Sequence, residues 1–108
     1  MLQVKDIEKK FSQIDQAIVS ASKACLNVPD ASPQLMESIT KLSKQSALMR
    51  QAMQSNDEIK IRKTVDELEM IGGEAERACA RDSHATSTIK EAVVKVHRDL
   101  YDLKQQVH

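Results

Sequence analysis

The chain has 108 residues, enough for one domain with a core of modest size. Its 16 Lys and Arg offset 16 Asp and Glu, so no charge excess points to a nucleic acid or to a strongly charged partner. Aromatic residues are confined to Phe11 and Tyr101, too few for a surface that stacks bases or sugar rings.

The start, Met1-Leu2-Gln3-Val4-Lys5-Asp6, lacks the basic residues and apolar stretch of a secretory leader. No apolar run approaches the roughly 20 residues of a membrane span. Cys25 and Cys79 stand far apart and form neither a CxxC unit nor a disulfide framework. A reducing, cytoplasmic location is therefore expected.

Along the chain the apolar residues alternate steps of three and four. The first segment, 3–27, carries Val4, Ile7, Phe11, Ile14, Ile18, Ala21 and Cys25. The stretch from Asn27 to Pro33 holds both prolines, Pro29 and Pro33, and reads as a loop. Ser32 is placed to cap the next helix, with Pro33 in its first turn. The second segment, 33–54, repeats the stripe through Leu35, Ile39, Leu42, Ser46, Met49 and Met53. A break follows at Gln54-Ser55-Asn56-Asp57-Glu58, where Ser55 and Glu58 have capping-box spacing and Asp57 is an alternative cap. The third segment, 57–81, carries Ile61, Val65, Leu68, Gly72, Ala75 and Cys79. The fourth, 83–107, carries Ile89, Val93, Val96, Leu100, Leu103 and Val107.

A spacing that averages 3.5 residues keeps one stripe facing a partner helix. Four segments of similar length with short loops predict an all-α fold, an up-down-up-down antiparallel four-helix bundle with coiled-coil-like packing, as a single domain over 1–108. The alternative is a helical hairpin plus one long C-terminal helix, dimeric, because the register runs unbroken from Ile61 to Val107 through Asp82 and Thr86. Asp82 at a stripe position, followed by Ser83 as a cap, favours a turn there.

The stretch from Ile71 to His84 holds both glycines, one cysteine and one histidine. Gly72-Gly73 lies within a helical pattern, and Glu74 and Glu76 repel phosphate, so it does not read as a phosphate loop. Gly72 falls on the stripe and is expected to be a helix-packing position that lets a neighbour approach. Cys25 and Cys79 fall on stripes of parallel helices, at the same height near the proline loop. They read as small buried apolar residues, with a redox pair, or a metal site joined by His84, as the alternative. A zinc site wants four ligands, and no further one is evident.

His84, His97 and His108 do not cluster by spacing. Arg81 and Val94 stand where the Glu-x-x-His pattern of di-iron bundles wants Glu. CxxCH is missing, which leaves only Met–His ligation for a haem, through Met36, Met49, Met53 or Met70. His97-Arg98-Asp99-Leu100 lacks the Lys and Gly that flank a phosphotransfer histidine.

Val94 and Tyr101 lie seven apart on a side stripe of the fourth segment, and Val19 and Leu26 on the equivalent stripe of the first. With these helices as neighbours, the four residues are expected to form one interaction surface. Balanced charge and the lack of Trp argue against lying on a lipid or polymer surface. The sequence thus points to a small cytoplasmic helical protein-interaction or assembly module that self-associates. Neither enzymatic activity, cofactor, metal nor small-molecule ligand is expected. The alternative function is a redox-active or metal- or haem-binding bundle that uses the cysteines and a histidine.

Overall fold

In the computed structural model, which describes residues 3–28 and 30–108, four α-helices follow one another. They are α1 (Val4–Leu26), α2 (Pro33–Gln54), α3 (Glu58–Arg81) and α4 (Ser87–Val107). Pro29, one of the two loop prolines, lies outside the described residues, as do Met1 and Leu2. Each helix has 21 to 24 residues, or about 32–36 Å at 1.5 Å per residue. The molecule is 43 Å long and about 20 Å across.

Short connections force each helix antiparallel to the one before it. α1 packs on α2 and α4, and α3 packs on the same two, so the helices close a ring of four seams. Across the diagonals no Cα of α1 comes within 8 Å of one in α3, and none of α2 within 8 Å of one in α4. Every stripe residue is buried apart from Val4, which is half-buried. Ala17, Ser38, Ala52, Ile71 and Gly73 are buried beside the stripes. Four of these five are small, and small residues on the flank of a stripe let neighbouring backbones draw close. The protein is an all-α four-helix bundle.

The helix ends show why the chain turns where it does. Ser32 caps α2, its Oγ accepting the Leu35 N–H at 3.2 Å, with Pro33 in the first turn. Between α2 and α3 the expected Ser55–Glu58 box gives way to the Asp57 cap, whose Oδ1 accepts the Lys60 N–H at 3.2 Å. Ser55 closes α2 instead, its Oγ donating to the Ala52 carbonyl at 2.9 Å. Asn56 then takes the left-handed conformation, φ 54°. Its N–H donates to the Met53 carbonyl, and the Asp57 N–H to that of Ala52. This pair of bonds is how a helix ends on a left-handed residue.

The long C-terminal helix does not form. Asp82 ends α3 in an extended conformation, and α4 begins at Ser87, not at 83. The cap is Thr86, whose Oγ1 accepts the Ile89 N–H at 3.2 Å, and Ser83 is exposed in the turn. The reason is Asp82 itself, whose carboxylate accepts backbone N–H groups and so offers the chain an alternative to helix. At the other end of α4, the Val107 carbonyl accepts from Arg62 Nε of α3 at 2.9 Å. A helix terminus is thereby satisfied across a seam.

Candidate functional site

Gly72 and Gly73 lie on the side of α3 that meets α4. A Cβ added to Gly72 would stand 3.2 Å from Leu100 Cδ1 and 3.5 Å from His97 Cα, so here the two helices approach closely. A Cβ added to Gly73 would stand 3.4 Å from His97 Nε2. The glycine pair is therefore the seat of the His97 imidazole. One turn to either side, α3 supplies a carboxylate: Glu76 Oε2 meets His97 Nδ1, and Glu69 Oε1 lies 3.9 Å from Nε2. Sequence spacing does not reveal this cluster, because its members are neighbours across a seam and not along one helix. The signal available was two glutamates seven apart, bracketing the glycines.

A carboxylate that holds one imidazole nitrogen fixes the tautomer and leaves the other nitrogen free as a base. In catalytic arrangements that second nitrogen faces an open position. Here it lies on the Gly73 side of α3, 3.9 Å from the second glutamate, with the imidazole 29% exposed. The arrangement clasps α3 to α4. A second histidine does the same further along the seam, His108 Nε2 lying 2.7 Å from Asp66 Oδ1.

Cys25 and Cys79 are both buried, 1% and 2% exposed, with free thiols. Burial, and then the other thiol and the Asp82 charge, push the Cys25 thiol up to about 11. Burial raises Cys79 as well, against a lowering by Lys90. Both cysteines stand in the last turns of their helices, α1 and α3, but this arrangement does not place them for a disulfide. α1 and α3 are diagonal, with every Cα pair more than 8 Å apart, and a disulfide requires about 4.4–6.8 Å. His84 is exposed in the 82–86 turn. Among the described residues no three His, Cys, Asp or Glu side chains come together as metal ligands.

Among the described residues Asp82 is the one buried carboxylate, its side chain 3% exposed. Oδ2 accepts the Ser32 N–H at 2.7 Å and Oδ1 accepts the His84 N–H at 2.9 Å. Chiefly because of these two bonds, its carboxyl is held below the usual carboxylate range. The amide at the start of α2, otherwise open to an anion, is thereby taken. Next to it a groove of about 470 Å³ runs between α2 and α3. Lys41, Arg77 and Arg81 line it together with Glu37, Glu74 and Asp82, so it selects neither sign of charge.

The four residues expected to share one surface do not. Asp15, one turn before Val19, bridges to Arg50 of α2 at 2.6 Å, so Val19 and Leu26 stand on the α2 flank of α1. His97, one turn before Tyr101, reaches α3, so Val94 and Tyr101 stand on the α3 flank of α4. α1 and α4 are neighbours as expected, yet the two pairs face opposite sides of the bundle. Val19, Leu26 and Tyr101 are 47%, 72% and 51% exposed. No helix among the described residues is long and apolar enough to cross a membrane. Compared with family models, curated proteins and solved structures, the chain matches none.

Proposed function

We propose that the protein is a small cytoplasmic helical module that works by protein contact, first with copies of itself, and carries no enzymatic activity, cofactor or nucleic-acid site. The observation that supports this reading is the Val19–Leu26 pair. Two large apolar side chains, seven residues apart and largely exposed, continue a heptad stripe on the outside of α1 after the inner stripe has been buried. A heptad-spaced outer pair is what a further helix packs against. Val94 and Tyr101 offer a similar pair on the opposite face. Two free thiols, buried and unpaired, suit a reducing cytoplasm.

Sedimentation over a wide concentration range tests the reading. The wild type is expected to associate, and Val19→Lys with Leu26→Lys to shift it to monomer with its helical circular dichroism intact. Val94→Lys with Tyr101→Lys asks the same of the other face. A wild type that stays monomeric at all concentrations would remove the self-association claim.

A further inference from the structure

The Asp82 carboxylate makes two bonds that the bundle does not need for helix formation. One reaches 50 residues back along the chain to Ser32 at the start of α2, and the other closes its own turn at His84. Besides these, the turn from Asp82 to Thr86 is held by two backbone bonds, Asp82 N–H to the Cys79 carbonyl and Ala85 N–H to that of Asp82, and by the small Ala85 side chain resting on the core. Thr86 caps α4 independently. The turn can therefore lift at the cost of the α3 C-cap alone, with α4 still capped, the condition for a local opening cheaper than global unfolding. Both thiols stand at this end of the bundle: the Cys79 carbonyl accepts the Asp82 N–H, and Cys25, whose carbonyl accepts the Val28 N–H, opens the connection that ends at Ser32, the partner of Asp82.

We propose that the Asp82 carboxylate is a latch: by holding the Ser32 and His84 amides together it keeps the α3–α4 turn down on this end of the bundle, and its release exposes Cys25 and Cys79 ahead of the rest of the molecule. The thiols are then the part of the core that solvent and reagents reach first. The amide bonds to a charged acceptor are the strong kind, and losing such bonds weakens a closed state by about tenfold or more.

The test is the rate at which an aromatic disulfide reagent labels the two cysteines at low urea. In the wild type, labelling is expected to be slow and nearly independent of urea, as for an opening that exposes little surface. Asp82→Asn should speed it about tenfold or more without steepening that dependence, and should speed hydrogen exchange at the Asp82-position and Ala85 amides by a similar factor. The exchange readout separates opening from a mere change in thiol reactivity when the charge is removed. Val107→Ala, in the core at the far end, should lower global stability and leave labelling at low urea unchanged. Labelling of Asp82→Asn at the wild-type rate would overturn the proposal. So would wild-type labelling that tracks urea as steeply as global unfolding, a result that decides the matter even if Asp82→Asn does not fold.

Discussion

Gly72 and Gly73 are adjacent, yet a methyl group added to each would meet different things. At Gly72 it presses on Leu100 Cδ1 at 3.2 Å with the α4 backbone close behind. At Gly73 it meets side-chain ends of Arg77 and His97 at 3.4 Å, an ordinary contact distance. Gly72→Leu is therefore expected to overpack the seam and cost about 1–3 kcal/mol. Gly73→Ala should fall within about 1 kcal/mol of the wild type, on the stabilising side, through helix propensity and a less flexible unfolded chain. Melting curves of the two variants check this, and a Gly72→Leu protein as stable as the wild type would refute the close approach. The role of Gly72 was legible because it falls on the stripe. That of Gly73 was not, because it depends on how far α4 is rotated about its own axis. That rotation turns the Val94, His97 and Tyr101 flank toward α3, and the axial shift of α4 decides which of the three lands on the glycines.

Helix ends are set by which polar group reaches a free N–H or carbonyl first. Ser32-Pro33 was readable because cap and proline agree on one position. The 55–57 connection was readable only as a break. Its three polar residues share the work: Ser55 closes one helix, Asn56 turns the chain and Asp57 opens the next. Asn56 tolerates a left-handed φ, and a β-branched residue does not. Asn56→Val should cost about 1–2 kcal/mol, while Asn56→Gly should be neutral or mildly stabilising, as read from urea midpoints. Equal losses in both would mean that the Asn side chain matters and the backbone conformation does not. Between α3 and α4 the heptad register misleads, since position 82 is on the stripe and is buried for a different reason. Its carboxylate is turned to amides from two parts of the chain, one of them distant in sequence, which no local pattern records.

At the scale of the molecule, stripes of similar length fix four antiparallel helices round one core, and this much the spacing alone conveyed. Which flanks face which neighbours followed only from packing, and this separates Val19 and Leu26 from Val94 and Tyr101. Burial of the thiols couples the fold to alkaline pH. In the folded protein Cys25 stays protonated up to about 11, against an ordinary value of 9.0. Between those values the unfolded chain loses a proton that the folded one keeps. Stability is then complete below about pH 9 and falls as pH rises through the window, by at most about 1.4 kcal/mol per pH unit for one thiol. Urea midpoints at pH 8, 9 and 10 should drop further in the wild type than in Cys25→Ala, and parallel pH profiles would contradict this. The ring of seams carries one more consequence. α1 begins beside the place where α4 ends, so the four helices trace an almost closed circuit, which a short connection from the end of α4 to the start of α1 would complete. A completed circuit has no privileged opening. Parted between Ser55 and Asp57, it would read α3, α4, α1, α2 and still set each helix against the same two neighbours. What the core specifies is this cyclic order of neighbours, and the linear order of the helices is one of several ways to write it.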